Sequence, residues 1–185
     1  EYSDAFSNDL LHTELIPAAY VLFSSKIGKK FTYKAGLRGE FSTVTLTSSH
    51  EELNVRNNNF VVSPSLSDTL RLADNQDLSL AFSRRVGRPA YPQLNPYMSM
   101  VDATTYEQGN MHLRPEKSSK LDLSYNFKSR KVQVFADAYM NYTTDYISQI
   151  TKISDGLLIT TYINGTSDFK TGAELSFKLL PAKWM

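Results

Sequence analysis

Strict alternation of apolar and polar residues runs through most of this chain, and it constrains the fold more than any other feature. In residues 120–128, Leu121, Leu123, Tyr125 and Phe127 alternate with Lys120, Asp122, Ser124, Asn126 and Lys128. Residues 31–42 set Phe31, Tyr33, Ala35, Leu37, Gly39 and Phe41 against Thr32, Lys34, Gly36, Arg38, Glu40 and Ser42. The rule holds again over 169–179, where Phe169, Thr171, Ala173, Leu175, Phe177 and Leu179 oppose Lys170, Gly172, Glu174, Ser176 and Lys178. In 132–146 it places Val132, Val134, Ala136, Ala138, Met140, Tyr142 and Tyr146 against Gln133, Asp137, Tyr139, Asn141 and Asp145. A period of two belongs to strands with one apolar and one polar face. No segment carries an i, i+3, i+4, i+7 apolar stripe, so the chain is all-β.

Seven strands follow, at about 12–24, 31–46, 60–72, 77–88, 117–128, 131–147 and 157–180. Their connections alternate in length. Ser25 to Lys30, Ala73 to Gln76 and Ser129–Arg130 are short and polar, whereas Thr47 to Asn59, Arg88 to Glu116 and Ser148 to Gly156 are long. Asn57-Asn58-Asn59 and Asp155-Gly156 read as turn material. Two architectures fit such a pattern. A soluble sandwich turns its apolar faces inward. A transmembrane barrel turns them to lipid, with short turns at one rim and long loops at the other. Strands long enough for the roughly 9–11 residues of a tilted membrane strand favour the barrel. So do the regular short/long order and aromatics near strand ends: Phe31, Tyr33, Phe60, Tyr142, Tyr146, Phe177 and Trp184.

Composition narrows the functions. With 20 Lys+Arg against 19 Asp+Glu, the net charge of +1 gives no footprint for nucleic acid. The chain has 0 Cys, which excludes disulfides and thiolate chemistry. His12, His50 and His112 lack metal-ligand spacing, so neither a metal nor a cofactor is expected. No nucleophile elbow, zinc-protease motif, phosphate loop or dinucleotide fingerprint is present, and no catalytic residue is assigned. The sequons at Asn141 and Asn164 read as chance matches. No stretch of 18 apolar residues suggests a membrane helix, and Glu1 to Leu10 does not read as a signal peptide.

The most distinctive stretch is Ser-Arg-Arg-Val-Gly-Arg-Pro-Ala-Tyr-Pro-Gln-Leu-Asn-Pro-Tyr at 83–97, followed by Gly-Asn-Met-His-Leu-Arg-Pro-Glu at 109–116. It resembles the C-terminal part of the barrel in TonB-dependent outer-membrane receptors. The likeness is greatest to the outer membrane protein β-barrel branch common in Bacteroidetes, with Met111 where that branch has proline. Ala35-Gly36-Leu37-Arg38-Gly39-Glu40 and Gly172-Ala173-Glu174-Leu175 resemble two further strands of that family, in its order. The resemblance implies a bacterial outer-membrane location and energised uptake of a bulky nutrient. It also implies outer-membrane lipid, the receptor's own N-terminal plug domain and the TonB complex as partners, and leaves room for a surface lipoprotein. The whole chain, 1–185, is then expected to be one partial barrel domain, extended at both ends in the native polypeptide. A passive or structural outer-membrane barrel is the alternative. From another class, a soluble carbohydrate-binding sandwich competes.

Candidate site residues come from two places. The long connection holds Arg88-Pro89, Asn95-Pro96 and Arg114-Pro115, which rule out a central strand. At that length a connector has a function or a fold of its own. Arg88, Tyr91, Asn95, Tyr97, Tyr106, Asn110 and Arg114 offer stacking faces and donors, either for ligand or for packing the loop onto the rim. On the polar faces, Lys34, Arg38, Glu40, Lys120, Asp122, Asp137, Glu174 and Lys178 are expected to line the lumen, as an ion-pair lattice or a substrate track.

Overall fold

The computed structural model describes residues 9–48, 54–154 and 156–179. Their main body is an antiparallel sheet built from β1 (Leu10–Leu15), β2 (Ala18–Ile27), β3 (Phe31–Ser48), β4 (Val55–Ala73), β5 (Gln76–Gly87), β8 (Glu116–Lys128), β9 (Val132–Thr144) and β12 (Ser167–Leu179). Between β5 and β8 lie a short helix, α1 (Tyr91–Leu94), and two small strands, β6 (Ser99–Met100) and β7 (Thr105–Glu107). Between β9 and β12 stands a hairpin of β10 (Ile147–Ser154) and β11 (Leu157–Asn164). No helix among the described residues is long and apolar enough to cross a membrane, which says nothing against crossing by strands.

Register turns the alternation into two continuous surfaces. One cross-strand row reads Phe23, Ala35, Leu66, Phe82, Leu121, Met140, Thr171 from β2 to β12. The adjacent row, pointing the other way, reads Ser24, Lys34, Ser67, Ala81, Asp122, Tyr139, Gly172. The apolar face stays exposed: Val21, Phe23, Leu37, Phe41, Phe60, Leu123, Phe169, Leu175 and Phe177 all lie open. A soluble sandwich would bury that face, and only lipid gives it a favourable neighbour. Aromatics on it gather at two levels. Phe31, Tyr33, Tyr125, Phe127 and Phe177 lie toward the short turns, and Phe41, Phe60, Tyr142 and Phe169 toward the long connections. Such paired girdles belong at the two membrane–water interfaces. Arg84 projects from the same face in the row of Tyr142 and Phe169 and bonds Ser119 at 3.2 Å, at the level of that girdle. The sheet is thus a wall of a transmembrane β-barrel, and its polar face is the inner face.

The sequence boundaries need correction in five places, the first being the connection expected at Ser148 to Gly156, most of which is strand β10 because its backbone pairs with β11. The strand expected at 12–24 is two, because Pro17 has no N–H to donate. The register nevertheless continues past it, and Phe41 N–H still reaches Pro17 C=O at 3.0 Å. The strand expected at 131–147 stops at Thr144, because Asp145 takes a positive φ of 54° and turns the chain. That expected at 157–180 is β11 plus β12, broken at Gly165, whose N–H bonds Tyr146 C=O at 2.6 Å. Asn57–Asn59 belongs to β4 rather than to a turn, since neighbours occupy its amides. Thr43 donates to Asn58 Oδ1 at 2.9 Å, and Asn57 Nδ2 donates to Met111 C=O at 2.8 Å. His50, Asp155 and Trp184 lie outside the described residues.

Packing is concentrated at one end. Leu46, Leu94 and Leu113 are buried to 1–3% exposure, with Leu10, Val44, Met111, Ile147 and Tyr162 against them. Leu10, Val44 and Leu46 sit on the inner face near the long-loop rim. The inner face turns apolar there because the long connections fold over it.

Candidate functional site

Two regions carry chemistry. The first is a cap formed by the long connections. β11 pairs in parallel with β7, so the hairpin and the 88–115 segment share one small sheet in the order β10-β11-β7-β6. Gly156, at φ 79°, makes the tight β10–β11 turn. Gly109 lets two chains touch: a Cβ there would lie 2.5–2.7 Å from backbone atoms of Asn95 and Gln93. Its N–H donates to Asn95 C=O at 2.7 Å, and Asn110 N–H donates to Gln93 C=O at 2.7 Å.

Most of the loop candidates hold this cap together. Arg88 ion-pairs with Glu40, and its Nε lies 3.3 Å from Glu14. Arg38 bonds the other Glu40 oxygen at 3.0 Å, so a carboxylate only 8% exposed faces two guanidinium groups. Asn95 Oδ1 accepts from Tyr97 N–H at 3.2 Å, and the Tyr97 hydroxyl meets that of Ser48 on β3. Asn110 Nδ2 donates to Tyr162 C=O at 3.0 Å while its Oδ1 takes His112 N–H at 2.9 Å. The Arg114 guanidinium sits 2.9 Å from Asp145, and its backbone is clasped by Asn164 through two bonds of 2.8 Å. Tyr91 is 43% exposed and lies 6.0 Å from the His12 ring, the most open of the three loop tyrosines. Tyr106 sits in β7, opposite Met100 and Ile159. Tyr162 donates its hydroxyl to Glu107 at 2.7 Å; that carboxylate, together with burial, raises the phenol above its ordinary range. Beside these contacts an open cleft of ≈ 550 Å³ runs between Pro96, Met111 and His112 on the loop and Lys152, Ile159 and Ile163 on the hairpin.

The second region is the inner wall. Lys34, Arg38, Glu40, Lys120, Asp122, Asp137, Glu174 and Lys178 all occupy inner-face positions of the register. Lys120 pairs with Asp122 at 2.7 Å, and Lys170 with Asp168 at 3.0 Å. Asp137 and Glu174 stand directly opposite each other. A hollow of ≈ 420 Å³ opens above Tyr139, among Ser83, Arg85, Ser118, Lys120, Asn141 and Lys170. Sequence reasoning missed Arg85, Asn141 and Lys170 here, and Glu14, Asp145 and Asn164 in the cap. Extending the parity of each strand by one pair reaches the first three. The cap residues depend on contacts that no local pattern encodes. No group of three metal-ligating side chains occurs among the described residues.

Comparison with known proteins then locates the chain. No curated protein matches it in sequence. Among solved structures it is similar to a double mutant of the Serratia marcescens hemophore receptor HasR, in complex with its hemophore HasA and heme. The TM-score is 0.77 at 12% identity, over 91% of this chain and 32% of that one. It is also similar to the copper transporter OprC, with TM-score 0.72, 18% identity, and 93% and 27% of the two chains covered. The FrpB iron transporter from Neisseria meningitidis aligns with TM-score 0.66 at 15% identity, over 94% and 25%. At such identities the likeness is one of fold, and the chain spans a third or less of these proteins. The family described as outer membrane protein beta-barrel family matches residues 1–185, so the lipid-facing wall, its paired girdles and its folded cap are those of a bacterial outer-membrane protein, and the chain belongs to that family.

Proposed function

We propose that this wall is part of the barrel of a TonB-dependent receptor that takes up a bulky solute, and that residues 1–185 are one portion of a larger barrel. The folded cap carries the reading. Two long connections build a second sheet over the inner face, with a cleft between them, a folded surface that suits capture of a solute. The open edges at β1/β2 and β12 among the described residues fit a wall continued by further strands. The solved receptors and transporters that share the fold are consistent with it. The Bacteroidetes-type branch, the plug domain and the TonB complex belong to this proposal, as does a surface lipoprotein.

In this reading Tyr91, Tyr106 and the cleft residues His112 and Lys152 meet the solute first. Arg88, Asn95, Tyr97, Asn110 and Arg114 shape the mouth. The test is uptake by cells expressing the full-length protein, with and without a working TonB. Loss of accumulation without TonB, and on deletion of the β10–β11 hairpin with barrel assembly intact, is the expected result. Equal accumulation in all strains would make the protein a passive barrel.

A further inference from the structure

Asn164-Gly165 is the one Asn-Gly pair in the chain, and it stands where three segments of the cap meet. Asn164 ends β11, directly opposite Ile147 at the start of β10. Its side chain reaches out of that hairpin to two other stretches of backbone. Nδ2 donates to Arg114 C=O at 2.8 Å and to Asp145 C=O at 2.7 Å, while Oδ1 accepts from Arg114 N–H at 2.8 Å. Both donors of the amide are therefore engaged. Gly165 is held as well: its N–H donates to Tyr146 C=O at 2.6 Å, and a Cβ on it would lie 3.3 Å from Ser148 Oγ.

Asparagine followed by glycine is also the pair most prone to lose its side-chain amide, because no Cβ shields the next backbone nitrogen. In that reaction the nitrogen of Gly165 gives up its proton and attacks Cγ of Asn164. A bond forms between them, the bond from Cγ to Nδ2 breaks, and ammonia leaves with the proton that Gly165 gave up. Water then opens the five-membered imide to aspartate or its β-linked isomer, with no oxidant or reductant involved. The closed cap obstructs both partners. Tyr146 C=O holds the Gly165 proton, and three bonds keep the Asn164 amide turned to Arg114 and Asp145. Once deamidated, the clasp has no donor left for two carbonyl oxygens and sets a carboxylate against them.

We infer that Asn164 is a deamidation site kept silent by the closed cap, so that opening of the 88–115 segment exposes it to a one-way change that weakens the cap. The purified full-length protein in detergent is incubated in mild alkali, natively and in denaturant, and the peptide holding Asn164 is read by mass spectrometry. Asn110 is the internal reference: its amide is also bonded within the cap, but Met111 follows it. Expected at Asn164 is a native rate roughly tenfold or more below the denatured one, the factor set by the free energy of opening the clasp. Asn110 should change slowly in both states. Arg114→Ala, which removes the ion pair with Asp145 beside the clasp, should speed the native reaction at Asn164. Asn164→Asp should let limited proteolysis cut the cap while the wall stays protected; the wild-type rates need no variant to fold. Equal rates in the native and denatured protein, or no change at Asn164 in either, would overturn the inference. So would a native rate in Arg114→Ala no faster than the wild type's, or a cap in Asn164→Asp as resistant as the wild type's. None of these readouts involves uptake, so TonB-dependent accumulation bears on the receptor reading alone.

Discussion

At the scale of single residues, the cap is a set of contacts that admit few substitutes. Gly109→Ala forces a methyl group into backbone atoms 2.5–2.7 Å away, and neither Asn95 nor Gln93 can yield without breaking its bond to Gly109 or Asn110. Overpacking of this kind costs about 1–3 kcal/mol. The expected outcome is a cap that limited proteolysis cleaves near residue 109 while the barrel wall stays protected; an uncut cap would contradict it. Arg88→Ala should cost a similar amount, about 1–3 kcal/mol, because it leaves Glu40 with Arg38 alone and removes the cation beside Glu14. Denaturant unfolding of the purified protein would read this. Tyr162 adds a pH dependence. Its folded pKa is raised, so the stability it supplies is complete below the unfolded value of about 10 and is lost as pH rises through the folded value. Protease sensitivity of the cap should therefore rise in alkali, and Tyr162→Phe should lack that step. Hardly any of this was legible in sequence. The motif drew attention to Arg88, Asn95, Tyr97, Asn110 and Arg114, but their partners Glu40, Ser48, Tyr162 and Asp145 lie far along the chain.

At the scale of elements, legibility reverses. The alternation in 31–42, 120–128 and 169–179 depends only on neighbouring residues, and those segments are strands whose faces the register continues. Period two failed where a strand end was decided by something else. Pro17 removed one donor, Asp145 took a positive φ, and Asn57–Asn59 became strand because β3 and Met111 occupy its amides. Apolar inner-face residues such as Leu46 and Val61 also break the pattern, since the cap rather than the lumen's water covers that end. The facing of β8 yields a sharp test. Leu123 is 46% exposed on the apolar face, while Ser124 points inward beside Ser79 and Asp137. Leu123→Arg should cost about 2–4 kcal/mol near the bilayer midplane, whereas Ser124→Arg, with Asp137 next to it, should cost little. Refolding into lipid vesicles measures both, and equal costs would mean that the apolar face does not meet lipid.

At the scale of the whole wall, the two rims are chemically unlike, and that difference gives an expected orientation in the membrane. The short turns are small and tied mainly by bonds at their own rim: Asn75 C=O accepts from Lys128 N–H at 2.9 Å, and Ser129 Oγ accepts from Val132 N–H at 3.0 Å. At the opposite rim β3 and β4 run 18 and 19 residues, well past the length a membrane strand needs, and they end in the cap. Barrels of the outer membrane keep short turns on the periplasmic side and long connections outside. We therefore place the cap, its cleft and the β10–β11 hairpin at the cell surface. A solute entering from outside would meet the cleft before the inner wall, an order that the opposite orientation would reverse. Epitope insertion decides between them. One tag after Gly156, at the exposed hairpin tip, and another after Asp74 leave the wall's ladder intact. Antibody should label intact cells carrying the tag after Gly156, and should reach the tag after Asp74 only once the outer membrane is permeabilised. Labelling of intact cells through Asp74 alone would turn the barrel over, put the cleft in the periplasm, and remove the cap from any part in capture.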